Sequence, residues 1–246
     1  MNKPLKAIIL AAGKGKRLQT EGVDAPKVMR LAAGKPLLGH VLGALDFLPT
    51  EDIVLVLGYK KEQVLAAFPE YAWAEQAEQL GTGHAAGCGM TKLEGFEGDV
   101  LVCCGDMPLL KKETYMALVA AHREGGNACT VLSGPADVSS KGMGRITRDA
   151  DGRFEAIVED KDCTPEQALI TELNSGLYLF DAAALRWALG QIKNDNKQGE
   201  FYLTDAPAIL QAGGYKVDAC CRPLGLEIIG VNTVEQLEQV EKILLG

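Results

Sequence analysis

Short apolar runs separated by amphipathic stretches set the first limit on what this chain can fold into. Leu5–Leu10 (LKAIIL), Ile53–Leu57 (IVLVL) and Asp99–Cys104 (DVLVCC) are too short for buried helices and are rich in Ile, Val and Leu. A strand covered on both faces reads this way, because neither face needs polar side chains. Between the runs lie helical patterns: Pro36–Leu48, with proline suited to a first turn, then Lys60–Phe68, then the small-residue stretch GTGHAAGCGMTKL. Lys111–Glu124 predicts a further helix and Ala128–Ser133 a further strand. Strands alternating with helices predict a parallel sheet with helices on both faces.

The later part changes character. Arg145–Arg148 and Phe154–Glu159 flank Asp149-Ala150-Asp151-Gly152, a turn signal that predicts an antiparallel hairpin. Glu172–Phe180 reads as a strand, Asp181–Ile192 as a helix and Lys193–Thr204 as a polar loop. Thr204–Gln211 follows as a helix, Lys216–Ala219 and Glu227–Val231 as strands, and Val234–Leu245 as a closing amphipathic helix. The expected fold class is α/β: a mixed, mostly parallel sheet in one domain over residues 1–246, its second half building a lobe over the sheet. A chain of 246 residues buries a sizeable core without disulfides or a structural metal.

Charge and cysteine usage narrow the function classes. The net charge of −8 argues against broad binding of nucleic acid through its phosphates. A small anionic ligand stays open, since a few lysines and arginines can converge locally. No stretch reaches the roughly 18 apolar residues of a membrane span, and the N-terminal apolar core KAIILAA is too short for an export signal. The cysteines number seven, in part as the adjacent pairs Cys103–Cys104 and Cys220–Cys221, with no C-x-x-C spacing. They read as small buried hydrophobes of a cytoplasmic protein. The three histidines are scattered, which disfavours a histidine-based metal site.

Three motifs point to chemistry. The first is the turn Leu10-Ala11-Ala12-Gly13-Lys14-Gly15-Lys16-Arg17, continuing to Pro26-Lys27. A buried strand feeding such a loop exposes backbone N–H groups to a phosphate oxygen. Ala11, Ala12, Gly13 and Gly15 permit close approach, while Arg17 and Lys27 supply cations. The loop lacks the third glycine of the dinucleotide fingerprint and is not a P-loop. An ordinary βα connection would also use these glycines. The second motif is Gly81-Thr82-Gly83 ahead of a helix of tiny residues, with Gln76 and Thr82 offering amide and hydroxyl to a base edge. Thr82 would equally serve as a helix N-cap. The third is Cys104-Gly105-Asp106, an acid at the carboxyl end of a buried strand, placed for Mg²⁺ beside phosphates or for capping a turn. Later in the chain, Gly144, Glu159 and Asn174 match sugar hydroxyls and amides, and Asn232 is suited to completing a metal site with Asp106. Taken singly, each reads rather as a turn residue or solvated charge, Asp160–Asp162 as a polar loop, and Asp195 and Asp205 as turn or capping residues.

Taken in order, the runs IILAAGKGKRL, PKVM, AEQLGTGHA, GDMPLL, GMGRITRDADG, IVEDKDCTPEQ, ELNSGLYLF, QGEFYLTD and GVNT resemble the sugar-phosphate nucleotidyltransferases. They look most like the uridylyltransferase (pyrophosphorylase) half of bifunctional bacterial enzymes. AEQLGTGHA with VEDKDCTPEQ is the specific pair; LAAGxGxR marks only the wider superfamily. The resemblance implies a Rossmann-like nucleotidyltransferase fold and a Mg²⁺-dependent reaction of UTP with N-acetylglucosamine-1-phosphate or a related sugar-1-phosphate. It implies uridine recognition by Leu10–Gly13, Gln76, Gly81 and Thr82, with Gly15, Cys104 and Gly105 beside the nucleotide. It places Arg17, Lys27 and Asp106 in catalysis, Asp106 and Asn232 on Mg²⁺, and Gly144, Glu159 and Asn174 around an amino sugar. Residues 1–110 would then mainly hold nucleotide and 140–232 mainly sugar. The sequence departs from the pattern at three places. The loop LQTEGVDA after Arg17 is longer than usual, Cys104 stands where the family usually has tyrosine, and no left-handed β-helix acetyltransferase domain is expected. The alternatives are a transferase of another nucleotide and sugar-phosphate specificity, such as a cytidylyltransferase, and a non-catalytic nucleotide-sugar sensor. A sensor would be expected to lose Arg17, Lys27 or Asp106, and all three are present.

Overall fold

In the computed structural model, residues 3–18, 24–135 and 138–246 are described. The chain enters on β1 (Leu5–Leu10), makes the small ribbon β2 (Leu31–Ala32) and β3 (Lys35–Pro36), and turns into α1 (Leu37–Ala44). Next come β4 (Ile53–Leu57), α2 (Lys61–Ala67), β5 (Ala72–Glu75), α3 (Thr82–Met90) and β6 (Asp99–Cys104). α4 (Lys112–Gly125), β7 (Cys129–Gly134), the hairpin β8 (Arg145–Arg148) and β9 (Phe154–Val158), and β10 (Leu173–Asp181) follow. The chain finishes with α5 (Ala182–Leu189), α6 (Ala206–Ala212), β11 (Val217–Cys221) and α7 (Val234–Leu245).

The main sheet has the order β11-β7-β10-β6-β1-β4-β5, with the β8–β9 hairpin joined to it through β10. Only β10 runs against its neighbours β6 and β7 on that path; the β1, β4, β5 and β6 pairings are parallel, as is β11 with β7. Side chains alternate between faces because the strand period is two. Ile8, Val54, Val56, Val100 and Val102 face the core under α3, α5 and α6. Ala7, Ile9, Leu55, Leu57 and Leu101 face the core under α1 and α4. A third cluster joins Leu237 and Val240 of α7 to Leu18, Ala32, Leu37 and Val231, so the last helix packs on the segment before it, on the small ribbon and on the start of α1.

The strand order fixes where a ligand can sit. From β1 the chain passes to β4 on one side, and β6 lies on the other. Connections leaving β1 and β6 therefore diverge, opening a crevice at their carboxyl ends.

Several elements differ from the sequence expectations. The helices expected to reach Leu48 and Ile192 end at Ala44 and Leu189, the second just before Gly190. β5 (AWAE) carries no apolar run and buries only Ala74, because it is an edge strand with one neighbour. Glu227–Val231 is a turn and loop, not a strand. Its side chains serve other contacts: Glu227 accepts from the Lys111 N–H (3.2 Å) and the Thr114 hydroxyl (2.6 Å), Ile228 joins the core under α1 and α4, and Ile229 and Val231 pack against α7. Cysteine burial is also uneven. Cys103 and Cys129 are buried, but Cys221 is exposed on the edge strand β11, and all seven thiols are free.

Candidate active site

The first turn is pinned on both sides. Ala11 N–H donates to the Val56 carbonyl and Gly105 N–H to the Leu10 carbonyl, both at 2.9 Å. Leu10 is registered opposite Cys104, so the ends of β1 and β6 stand level. A Cβ at Gly13 would meet nothing within 4 Å, leaving that backbone open to a ligand. At Gly15 a Cβ would stand 2.7 Å from Lys27 Cβ, so glycine there lets the Lys27 side chain cross the loop. The Lys27 ammonium meets the Asp106 carboxylate and donates to Asn232 Oδ1 at 2.7 Å. Val231 N–H donates to the Asp106 carbonyl (2.9 Å), which ties the segment carrying Asn232 to the loop after β6. Asn232 N–H donates to Gln236 Oε1 at 2.8 Å and its side-chain amide to the Gly230 carbonyl at 3.2 Å. These bonds leave its oxygen for Lys27.

A second wall comes from the start of α3. Gly81 (φ +117°) holds the N-cap position, where a Cβ would lie 2.5 Å from the Phe201 carbonyl oxygen. Thr82 is therefore not the cap; its hydroxyl accepts from Leu203 N–H at 2.9 Å. Gln76, only 4% exposed, donates through Nε2 to the Gly81 carbonyl at 2.9 Å, and the same nitrogen lies 3.2 Å from His84 Nδ1. Gln79 donates to the Ala12 carbonyl at 2.9 Å, bridging the two walls.

Between these walls lies a cavity of about 250 Å³ lined by Leu10, Ala11, Ala12, Gly13, Lys27, Gln76, Gly81, Thr82, Cys104 and Asp106, together with Val28, Gln79, Ala85 and Glu200. Most of the expected nucleotide residues thus converge. Burial pushes the Cys104 thiol up to about 12, with the Asp106 charge adding to it and Lys27 opposing, so the cavity meets a neutral thiol there. Gly15 and Gly105 support the walls without lining the cavity. Arg17 sits exposed in the short turn Lys16–Leu18 and does not line it either. Part of the longer loop that follows, residues 19–23, lies outside the described residues.

On the lobe side, Glu159 lines a second cavity of about 340 Å³ with Asp162, Asp195 and Asp205. Burial raises the Glu159 pKa; the Thr204 hydroxyl donating at 3.0 Å opposes the rise, and the charges of Asp205, Asp162 and Asp160 reinforce it. Gly144 and Asn174 meet each other, the Gly144 carbonyl accepting from Asn174 N–H at 2.9 Å. The Asn174 side chain donates to the Tyr178 hydroxyl (2.7 Å) and accepts from Gly176 N–H (3.1 Å), bonds that shape a bulge in β10. Neither Gly144 nor Asn174 lines either cavity.

The Lys27 contacts also test whether a divalent cation fits. Asp106 and Asn232 each present a hard oxygen to one ammonium, so both are within reach of a single positive charge. Among the described residues no group of three or more His, Cys, Asp and Glu side chains is gathered as a metal cage. One carboxylate with one carbonyl oxygen matches Mg²⁺, which takes few protein ligands and completes its shell with water and substrate phosphates.

The sequence profile of the MobA-like NTP transferase domain matches residues 7–201. The chain belongs to that family. It is 43% identical to the bifunctional protein GlmU of Streptomyces avermitilis, over 98% of this chain and 51% of that protein. The GlmU proteins of Streptomyces griseus (44%, 98% of this chain, 50% of the relative) and Alkaliphilus oremlandii (42%, 98% and 52%) are similar to it in the same way. This NTP transferase thus spans about half the length of the curated relatives it matches. Among solved structures it is similar to HddC of Yersinia pseudotuberculosis complexed with GMP-PN (TM-score 0.68, 20% identity, 97% of this chain and 99% of that one). It is also similar to a putative glucose-1-phosphate thymidylyltransferase of Bacillus anthracis in complex with a sucrose (TM-score 0.73, 18% identity, 98% and 95%). These structural likenesses carry the fold, a Rossmann-like nucleotidyltransferase α/β architecture.

Sequence reasoning left out several residues in or beside the candidate site. Gln79 and His84 lie inside the AEQLGTGHA run, and Glu200 inside QGEFYLTD, so the signal was a motif whose individual members had no assigned contact. Asp162 and Asp205 read as loop and capping residues in the sequence, yet they share the Glu159 cavity.

Proposed function

We propose that this nucleotidyltransferase joins UTP to N-acetylglucosamine-1-phosphate, or a closely related sugar-1-phosphate, with Mg²⁺ as cofactor and pyrophosphate as the second product. The observation that carries this reading is the meeting of Lys27, Asp106 and Asn232 at the diverging ends of β1 and β6, beside a cavity walled by Leu10–Gly13, Gln76, Gly81 and Thr82. Identity of 43% over nearly the whole chain to a GlmU protein supports the choice of a sugar nucleotide.

The chemistry needs no protein nucleophile. An oxygen of the sugar-1-phosphate attacks the α-phosphorus of UTP in line. As that bond forms, the bond from the α-phosphorus to the bridging oxygen breaks, and pyrophosphate leaves with the electron pair. Positioning and charge stabilisation carry such a transfer. The backbone of Ala11–Gly13 faces the phosphates, and Lys27 and Arg17 supply positive charge to the crowded phosphorus and the leaving group. Asp106 and Asn232 would hold Mg²⁺, which when bound neutralises phosphate charge. Glu159 accepts from sugar hydroxyls or the amide N–H on the lobe side, and Gly144 and Asn174, which line neither cavity, shape the lobe through their mutual backbone bond. In this scheme residues 1–110 mainly hold nucleotide and 140–232 mainly sugar. The free thiols suit a reducing cytoplasm, and no helix among the described residues is long and apolar enough to cross a membrane.

The test is pyrophosphate release with Mg²⁺, each of the four NTPs and a panel of sugar-1-phosphates. UTP with N-acetylglucosamine-1-phosphate should turn over best, and Asp106→Asn should lower kcat by about 10²–10³-fold with the far-UV spectrum unchanged. Turnover of no pair, or an Asp106→Asn enzyme at full rate, overturns the mechanism. A preference for CTP overturns the uridine assignment alone.

A further inference from the structure

A carboxamide has two hydrogens to give and one oxygen to receive, so its partners reveal which end faces a ligand. Gln76 Nε2 lies 2.9 Å from the Gly81 carbonyl oxygen. That oxygen carries no hydrogen, so a flipped amide would set two acceptors against each other. With Nε2 fixed there, the second amide hydrogen meets His84 Nδ1 at 3.2 Å. Nδ1 accepts when the ring carries its proton on Nε2, and Nε2 faces the Cys88 sulfur, a weak acceptor, at 3.9 Å. Both hydrogens of the amide are then used inside the protein. Among the described residues no donor bonds to Gln76 Oε1, and that atom is not among the buried unpaired ones. Gln76 lines the nucleotide cavity, where its free oxygen is an acceptor awaiting a donor.

We propose that His84 is a positioning residue that locks the Gln76 amide with its oxygen toward the base. The site then selects bases whose ring nitrogen carries a hydrogen, as the imide of uracil or thymine does. Cytosine presents a bare ring nitrogen at the same place and leaves two acceptors facing. This inference rests on the uridylyltransferase reading and explains its base choice through a residue outside the cavity lining. His84 needs no contact with the nucleotide, since removing its acceptor frees the amide to turn.

The experiment measures equilibrium binding of UDP and CDP, with Mg²⁺, to the full chain. The wild type should prefer UDP by about 100-fold or more, as sites built around a ligand hydrogen bond do. His84→Leu keeps bulk without an acceptor and should cut that preference about tenfold or more. His84→Asn places an acceptor oxygen where Nδ1 stood and should retain the preference within about threefold. A purely structural role would instead weaken both nucleotides equally. An unchanged UDP preference in His84→Leu overturns the inference alone; a wild type that binds neither nucleotide overturns the transferase reading with it. Should His84→Leu fail to fold, ring-nitrogen NMR of the wild type decides. A proton on Nε2 supports the lock, and a proton on Nδ1 overturns it.

Discussion

Glu159 shares its cavity with Asp162 and Asp205, and burial together with those charges holds its pKa above the ordinary value of 4.5. In the role proposed for Glu159, accepting from sugar hydroxyls, the carboxylate is lost to protonation earlier in an acid titration than an exposed glutamate. The KM for sugar-1-phosphate should therefore rise as pH falls, beginning at a higher pH than an exposed glutamate would give, while the KM for nucleotide stays level. Asp205→Asn removes one repelling charge and should move the acid limb of that profile to lower pH. Initial-rate measurements across pH check both, and a limb unmoved by Asp205→Asn removes the electrostatic explanation. Asp205 itself is raised by burial first and the Asp162 charge second, so the two carboxyls report on one acidic pocket.

Helix α3 shows how an element brings residues to the site. Gly83 and Gly89 are buried on it, and at Gly89 a Cβ would stand 2.5 Å from Ile8 Cγ2 and 3.1 Å from Val56 Cγ2. The missing side chain lets the helix lie against β1 and β4, which sets its first turn, with Thr82 and His84, beside the cavity. Alanine at Gly89 gains about 1 kcal/mol in helix propensity. It must also displace β-branched side chains that have little rotamer freedom, and overpacking of this kind costs about 1–3 kcal/mol. Gly89→Ala should lower stability by about 1 kcal/mol net, read as a lower urea midpoint at constant slope, and should weaken nucleotide binding. A more stable variant with unaltered binding would show that helix and sheet are not so closely fitted. The same element marks the limit of what the sequence discloses. Runs such as IVLVL were legible as strands because burial on both faces leaves no polar positions. β5 was not, since an edge strand with one buried residue looks like a loop. Glu227–Val231 mimicked a strand because it is a short run rich in isoleucine and valine, whose side chains are instead divided between two core clusters, Ile228 in one and Ile229 and Val231 in the other. At the site, the glycine turn and Asp106 were legible as residues at strand ends. The Gln76–His84 and Gln79–Ala12 bonds were not, because their partners are chosen by how α3 docks.

At the scale of the whole molecule, the end of the central strands opposite the site is closed by charge. Asp99 opens β6 and is registered beside Asp181 of β10, so two carboxylates lie next to each other. Arg123 of α4 donates to Asp99 Oδ2 at 3.0 Å and to the Lys3 carbonyl at 2.6 Å. Lys3 lies 3.3 Å from Asp99 Oδ1 and 2.5 Å from Asp181 Oδ2, and His122 Nε2 is 3.7 Å from Asp99 Oδ1. The cluster therefore ties the entry to β1, the centre of the sheet, β10 and α4 in one place. Burial alone would raise the Asp99 pKa, but His122, Arg123 and Lys3 more than offset it and hold the group at about 2. A carboxyl depressed in the folded state stabilises above its unfolded value of about 3.9 and loses that contribution as pH falls through its folded value. For Asp99 the window runs from near pH 4 down to about 2, and the linked stability at neutral pH is about 2–3 kcal/mol. Asp99→Asn should be destabilised by about that amount at pH 7, with the gap to wild type closing as pH approaches 2. Urea midpoints measured at both ends of the window test this. A gap that stays constant with pH would assign the loss to packing around the substituted side chain and leave this end of the sheet held by something other than the Asp99 charge.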